Sequence, residues 1–274
     1  TATKHDDILN MKKNFPTEFI YQIFALLISF IIVHAVYVTL VRPAAATHQQ
    51  QEAARLAADP TYITQDSFFV VIKDYEQETC FILMLWALSI LGYKGQAAWR
   101  QHKLLERDLL QLPESLPIGP EDTRELAERV HALPSMEKHY LLPRALLTGI
   151  ERFSATRNVQ DVSTAVQDIC DAEGERLESE LSIIRYIAWA IPSVGFIGTV
   201  RGIGDALGQA HRAVEGDITG VTENLGVAFN STFVALVISI VLMFFIYQLQ
   251  LLQERLVLDS DRYVDHWLVR KLRS

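Results

Sequence analysis

The stretch Phe19–Val41 contains no charged side chain. An α-helix rises about 1.5 Å per residue, so a helix over this stretch is about 34 Å long and crosses the roughly 30 Å hydrocarbon core of a bilayer with some tilt. The stretch is too long for the apolar core of a signal peptide, and no small-residue cleavage site leads from it into a soluble domain. This feature predicts a protein embedded in a membrane.

Further spans are predicted by three more uncharged stretches. Asn224–Gln253 predicts a second spanning helix. Thr79–Tyr93 and Tyr186–Val200 are shorter, and each taken alone is compatible with a buried core helix. Both shorter stretches are bounded by basic side chains such as Lys94 and Arg201, which are long enough to reach the headgroups. We favour four transmembrane helices, because the apolar hairpin between the first and last spans is most stable inside the bilayer.

The distribution of Lys and Arg predicts the orientation of these spans. Basic residues are frequent before the first span, after the second span and in the C-terminal tail, and they are sparse in the other two connections. The positive-inside rule then places both termini and the middle domain in the cytoplasm. The predicted segments are a cytoplasmic N-terminal segment 1–18, transmembrane helix 19–41, a periplasmic loop 42–78, transmembrane helix 79–97, a helical cytoplasmic domain 98–182, transmembrane helix 183–203, a periplasmic loop 204–223, transmembrane helix 224–250 and a cytoplasmic helical tail 251–274.

The region between spans two and three has the apolar periodicity of helices. Val162, Val166 and Cys170 recur at helical spacing. A similar series from Leu177 onward runs directly into span three. We therefore expect spans three and four to continue as helices into the cytoplasm. The predicted fold class is an all-α polytopic membrane protein with four transmembrane helices, long helices extending into the cytoplasm and a helical cytoplasmic domain.

Composition and motifs exclude several functions. The net charge of −8 disfavours nucleic-acid binding, which requires a basic surface. No nucleotide-binding, metalloprotease or serine-hydrolase motif occurs, and the eight histidines show no ligand spacing. Cys80 and Cys170 form no CxxC pair, so we expect two buried thiols. The chain is therefore expected to be neither an enzyme nor a protein with a cofactor or a structural metal.

Ionisable residues near the membrane need a separate explanation. His34 lies in the middle of span one, where we expect its neutral imidazole to hydrogen-bond a neighbouring helix; a titrating functional role is the alternative. Asp74, Glu76 and Glu78 cluster at the outer side of span two. A solvated, charged helix end is one explanation of this cluster. A bound cation such as calcium is the other, because hard cations prefer carboxylate ligands.

Spans three and four are rich in small and hydroxyl-bearing residues. Small side chains allow helix backbones to approach closely in lipid, where packing and hydrogen bonds replace the hydrophobic effect. The residues expected at packing contacts or at a bend are Pro192, Gly195, Gly198, Gly202, Ala228 and Ala235. The residues expected to line an ion pathway are Thr199, Thr232, Ser231 and Ser239. Packing within one subunit, without a polar path, is the alternative.

Thr199 and Thr232 are predicted to lie at a similar depth. Thr199 is about 21 Å along the helix from Arg185, travelling outward, and Thr232 is about 12 Å from Asn224, travelling inward. In antiparallel neighbouring helices the two hydroxyls can therefore meet in the outer half of the membrane. A hydroxyl orders water but does not titrate, so proton conduction would need a carboxylate from elsewhere. The hypothesis thus requires a partner subunit.

At these residues the sequence resembles the MotA/TolQ/ExbB proton-channel family. The resemblance is carried by IPSVGFIGTVRGI (Ile191–Ile203) and LGVAFNSTFVALVISIVLMF (Leu225–Phe244), and the four-span order is that of MotA-like and ZorA-like members. It implies a homopentamer around two copies of a MotB/TolR/ExbD-like subunit with one span, whose transmembrane aspartate binds and releases protons. By motif position, Thr199 and Thr232 would face that aspartate, and Pro192 would lie near the bend of span three.

The resemblance implies a motor in the bacterial inner membrane that couples ion flow to rotation or mechanical work. The transported ion is expected to be the proton, with sodium as the alternative. Gly226–Ala228 stands where TolQ-like and ExbB-like members often have a glutamate, and the last helix lacks the proline of flagellar members. Phage defence, outer-membrane energisation and motility therefore all stay open as the load. A membrane scaffold without ion conduction is the alternative function.

Overall fold

The computed structural model describes residues 3–59, 62, 67–110 and 117–273, with side chains from residue 19 onward. The predicted segments 1–18, 42–78, 98–182 and 251–274 are each described only in part. The described residues are helical and include no strand, which confirms the predicted all-α class. The helices are α1 (Thr3–Val36), α2 (Arg42–Ala58), α3 (Phe68–Val71), α4 (Tyr75–Leu105), α5 (Thr123–His131), α6 (Leu141–Thr156), α7 (Val159–Glu180), α8 (Ser182–Gly208), α9 (Ala210–Val214) and α10 (Thr219–Trp267).

Within the described residues, four helical stretches are long and apolar enough to cross a membrane. Only 17% of the most apolar window of the first stretch is buried, and a third of the window in each of the others. Apolar surface of this extent needs lipid or another subunit to cover it. The chain is therefore a multi-pass membrane protein. The stretches are Phe19–Ala58, Tyr75–Leu105, Val159–Gly208 and Thr219–Lys271.

The first spanning helix continues beyond its predicted end. A π-helical turn at Tyr37–Val41 joins α1 to α2, and the Arg42 N–H donates to the Tyr37 carbonyl across this wider turn. Pro43 follows at the first turn of α2. Proline has no N–H to donate to the preceding turn, and a widened turn is one way in which a helix accommodates that loss. The predicted loop 42–78 therefore begins as a helix.

The expected helical extensions of spans three and four are present, with one interruption. A turn at Leu181, whose N–H donates to the Glu178 carbonyl at 3.1 Å, separates α7 from α8. By contrast, α10 is a single helix of 49 residues. It continues through the last apolar span into the C-terminal region without a break.

Two compact units make up the chain. Unit 1 comprises residues 1–91 and 183–245, and unit 2 comprises residues 92–182 and 246–274. Unit 2 has a core of large apolar side chains from α5, α6, α7 and the end of α10, and Phe153 of α6 is fully buried there. The core of unit 2 also contains Val162, Val166 and Cys170, as their helical spacing predicts. Cys80 and Cys170 are both free and buried, which confirms the expected state of the two thiols.

Candidate functional site

Three glycines of α8 face three small residues of α10 in unit 1. A β-carbon added at Gly195 would lie 2.5 Å from the Cβ atom of Ala235, and contacts below 3 Å essentially never occur. The α8 and α10 backbones therefore approach as closely as glycine allows, which is the usual basis of helix packing in lipid. The pairs are Gly195 with Ala235, Gly198 with Ser231, and Gly202 with Ala228. The structure thus pairs all five predicted small packing residues, with Ser231 as the sixth member.

Pro192 lies inside α8, and Ser239 of α10 compensates for it. Because proline has no N–H, it cannot donate to the Ala188 carbonyl one turn earlier. The Ser239 hydroxyl donates to that carbonyl at 3.2 Å, so a side chain from the neighbouring helix supplies a hydrogen bond. The buried Cys80 thiol donates to the Ile191 carbonyl at 3.7 Å in the same turn. The carbonyls around Pro192 are therefore hydrogen-bonded by residues of two other helices.

Thr199 and Thr232 meet at the contact between α8 and α10. Their hydroxyl oxygens are within hydrogen-bond distance of each other. The Thr199 hydroxyl lies 3.0 Å from the Ala228 carbonyl oxygen, and the Thr232 hydroxyl lies 3.3 Å from the Gly195 carbonyl oxygen. Both side chains are partly exposed. The two threonines thus lie at one level of the bundle, as the helix rise predicts.

The hydrogen bonds of this threonine pair are not fixed. The two hydroxyls carry two hydrogens in total, but there are more oxygen–oxygen contacts than hydrogens, because Thr199 is also 3.3 Å from the Gly195 carbonyl. Each hydroxyl rotates about its C–O bond and can act as donor or acceptor. Either hydroxyl can therefore rotate to donate to a third polar group, while the other hydroxyl still donates to one of the nearby carbonyls.

Ser231 lies deeper in the same helix contact, together with Gln77 of α4. Ser231 is buried, and its hydroxyl donates to the Val227 carbonyl at 2.8 Å. The Gln77 side chain is 0% exposed, and its amide nitrogen donates to the Ser231 hydroxyl at 3.4 Å and to the Val71 carbonyl at 3.2 Å. The Gln77 amide oxygen is buried and has no hydrogen-bond donor among the described residues. A polar cluster therefore extends from the threonine pair toward α4.

The acidic cluster at the start of α4 is divided between two sets of bases. Arg201 of α8 binds Glu76 through two hydrogen bonds, of 2.7 and 2.9 Å. Glu78 is only 5% exposed and pairs with Arg42 and with His34, whose Nδ1 atom lies 2.7 Å from the Glu78 carboxylate. The expectation that His34 hydrogen-bonds a neighbouring helix is therefore confirmed.

The structure contradicts the solvated helix end only at Glu78, because Asp74 and Glu76 stay partly exposed. A solvated helix end is wrong for Glu78, because its carboxylate is buried between two bases. For a bound cation, the carboxylates would have to converge, and arginines already neutralise two of the three. Among the described residues, no group of three or more His, Cys, Asp or Glu side chains is placed to hold a metal ion.

Sequence reasoning missed Gln77 of α4 and the partners of the acids Glu76 and Glu78. Gln77 and Ser231 are 154 positions apart, and Glu76 and Arg201 are 125 positions apart. A signal was present: polar side chains next to an apolar span need partners in a membrane protein. The basic residues nearest the ends of the other spans, Arg42 and Arg201, are the partners that this rule would have proposed for Glu78 and Glu76.

Comparison with known protein families shows which family the segment that contains this site resembles. Residues 137–262, which include α6, α7, α8 and most of α10, match the model of the MotA/TolQ/ExbB proton channel family. The match contains the threonine pair and the paired small residues, and it confirms the resemblance inferred from the sequence. No curated protein and no solved structure is significantly similar to the chain.

This segment is thus similar to the MotA/TolQ/ExbB proton channel family, and the similarity supports a proton-channel-like function. The family is one of membrane channels and not of enzymes. Within the matched segment, α8 and α10 form the small-residue helix contact of unit 1.

Proposed function

We propose that this chain is the ion-conducting subunit of a membrane motor, and that Thr199 and Thr232 line its ion pathway. The observation that carries the proposal is the threonine pair: two partly exposed hydroxyls at one level of a helix contact, within the segment that matches the proton channel family. Threonine hydroxyls in membrane helices can hydrogen-bond across a helix contact.

The proposed assembly has five copies of the chain around two copies of a MotB/TolR/ExbD-like partner. The partner contributes one transmembrane helix per copy, with an aspartate facing the threonines. Large exposed apolar side chains flank the threonine pair on both helices, for example Phe196 on α8 and Phe233 on α10. Neighbouring helices or lipid would cover these side chains, so the exposed apolar surface of the isolated chain supports a larger assembly.

In the proposed mechanism, the threonine hydroxyls respond to the protonation state of the partner's aspartate. A charged carboxylate accepts hydrogen bonds, and the rotatable hydroxyls of Thr199 and Thr232 can donate to it. A protonated carboxyl needs fewer donors, and the hydroxyls then return to the carbonyls of Gly195 and Ala228. This difference in hydrogen bonding changes the stability of the partner helix at each position and biases its movement.

We also propose a bacterial inner-membrane location with both termini in the cytoplasm. The distribution of Lys and Arg supports this orientation. The proposed ion is the proton, with sodium as the alternative, and the work driven is phage defence, outer-membrane energisation or motility. The fully buried Gln77 and the serines of α10 make the helix contact polar enough to order water, which either ion requires.

Replacing each threonine with valine tests the proposal. Thr199→Val and Thr232→Val keep the side-chain shape and remove the hydroxyl, so proton uptake into vesicles containing the chain and its co-purifying single-span partner should fall about tenfold. A tenfold loss corresponds to about 1.4 kcal/mol, which is the scale of one hydrogen bond. Thr222→Val is the matched control, because its hydroxyl is exposed and bonds only to its own helix. Uptake unchanged in both threonine variants would contradict the proposal.

A membrane scaffold is the second candidate function, and the paired small residues favour it. The contacts of Gly195, Gly198 and Gly202 account for tight packing without any ion. A scaffold would retain its cellular activity when an uncoupler collapses the proton gradient. Loss of activity on addition of the uncoupler, together with a 5:2 subunit stoichiometry of the purified complex, would exclude it.

A further inference from the structure

A polar cleft of about 560 Å³ lies at the end of unit 1 where α4 begins and α8 ends. Its charged lining consists of Lys73, Asp74, Arg201, Arg212, Asp217 and Glu223. Three bases and three acids at close quarters retain water, because each charged group keeps part of its hydration. The cleft is therefore polar and large enough to hold water at this end of the helix bundle.

Asp74 differs from the other acids at the start of α4. Glu76 is held by Arg201, and Glu78 by Arg42 and His34, whereas Asp74 forms no ion pair with another described residue. Burial raises the pKa of the Asp74 carboxyl, although Lys73 and Arg201 oppose the effect. Glu76 raises that pKa further, and the polar Gln77 side chain lowers it. Asp74 is thus an acid of the cleft that binds a proton more readily than an exposed aspartate.

Gln77 is the next polar residue along the bundle from Asp74 toward Ser231. It lies one helical turn further along the chain, is fully buried, and donates to Ser231, which precedes Thr232 in α10. Its amide oxygen has no donor among the described residues, and an unsatisfied buried acceptor costs about 1–3 kcal/mol. A water molecule is the natural donor for such a group, since the site is polar and next to a cleft large enough to hold water. The unsatisfied oxygen is therefore a second observation, and it supports a water-binding position at Gln77.

We propose that Asp74 and Gln77 form the entrance branch of the ion pathway within a single subunit. Asp74 takes a proton from a hydronium ion in the cleft: one O–H bond breaks in the hydronium ion and one forms on the carboxylate. The proton then passes to water held by the Gln77 amide oxygen, which restores the carboxylate and regenerates a hydronium ion beside Ser231. Gln77 is a positioning residue, because it orders this water and does not itself carry the proton. This branch rests on the proposed conduction past Thr199 and Thr232.

The titration of Asp74 can be measured on the purified chain in phosphatidylcholine vesicles, without the partner. Infrared difference spectra across a pH titration should contain a protonated carboxyl band that is lost in Asp74→Asn and retained in Asp205→Asn. Asp205 is the matched control, since it is an exposed acid near the same arginine. Gln77→Leu should move the midpoint of this band to higher pH, because it removes a polar side chain that lowers the Asp74 pKa. An unchanged midpoint in Gln77→Leu would overturn the role of Gln77.

Proton uptake with the co-purifying partner separates this inference from the proposed function. Asp74→Asn and Gln77→Leu should each reduce uptake about tenfold, which corresponds to a difference of one pKa unit in the driving force for proton transfer. A disulfide formed between Thr199→Cys and Thr232→Cys in the same background would show that the helix contact is intact. Uptake by the wild type with no loss in Asp74→Asn would overturn the entrance branch alone. No uptake by the wild type would overturn the proposed function.

Discussion

The contact between α8 and α10 in unit 1 and the core of unit 2 are both tightly packed, but they use opposite kinds of side chain. In unit 2, Phe153 and Leu146 are fully buried, and removing such side chains from water is the main stabilising contribution. In unit 1, glycine, alanine and serine form the contact, while Phe196 and Ile240 are exposed. Unit 1 is therefore suited to lipid, where close packing and hydrogen bonds stabilise helix contacts.

The comparison shows which substitutions each unit tolerates. A core that excludes water loses most when a large side chain becomes small, because a cavity remains. A contact of glycines loses most when a side chain is added, because the two backbones cannot approach. Unit 2 is therefore most sensitive to the loss of side-chain volume, and the glycine contact of unit 1 is most sensitive to a gain in side-chain volume.

Phe153→Ala should give the largest loss of stability. Phe153 is fully buried in unit 2, and truncating a buried Phe to Ala costs about 3–5 kcal/mol. Hydrogen exchange of α6 in the full chain, followed by mass spectrometry, would measure this as faster exchange of its protected amides. Arg152→Ala, at the exposed neighbouring position, is the control and should leave exchange nearly unchanged. Equal exchange in the two variants would show that unit 2 does not depend on an apolar core.

Gly195→Ala should give a smaller loss, through the opposite cause. The added β-carbon would lie 2.5 Å from that of Ala235, and overpacking of this kind costs about 1–3 kcal/mol. Gly204→Ala is the matched control, because no atom lies within 4 Å of its added β-carbon. That control should be neutral or more stable by up to about 1 kcal/mol, since alanine favours helix. The midpoint of unfolding in sodium dodecyl sulfate, read by circular dichroism, would measure both; a Gly195 variant as stable as the Gly204 variant would contradict the close contact.

The sequence was sufficient to predict the features that depend on local periodicity. Uncharged length predicted the spanning helices, and the spacing of small residues identified Gly195, Gly198 and Gly202 before their partners were known. The depth of Thr199 and Thr232 followed from the rise of the helix alone. These features depend on residues that are close in the chain, so their signal is present in a short window of sequence.

Contacts between distant segments could not be predicted in this way. Lys94 was expected to extend toward the headgroups, but it is buried and donates to Glu180 at 2.8 Å. Arg201 likewise pairs with Glu76, although its position suggested only a membrane boundary. The choice of partner depends on which helix faces are adjacent in three dimensions. Apolar periodicity does not specify this arrangement when a helix is apolar on all sides.

Ser239→Ala should give the smallest loss of the three, and it tests the hydrogen bonding of unit 1 separately from its packing. The hydroxyl donates to the Ala188 carbonyl, which Pro192 leaves without its usual helical donor, so removing it should cost about 1 kcal/mol. Ser193→Ala is the control, because that hydroxyl is exposed and bonds within its own helix at 3.1 Å. The same detergent unfolding midpoint would measure both variants.

The cause of the Ser239 effect can be isolated by a double-mutant cycle with Pro192→Ala. Alanine at position 192 restores an N–H that can donate to the Ala188 carbonyl within α8. In that background, Ser239→Ala should cost much less than it does in the wild type, which gives a coupling energy of about 0.5–1 kcal/mol. Equal costs in the two backgrounds would mean that the serine stabilises α10 for a reason unrelated to the proline. A measurable coupling would show that hydrogen bonds, and not small size alone, keep α8 and α10 together where unit 1 has no large apolar core.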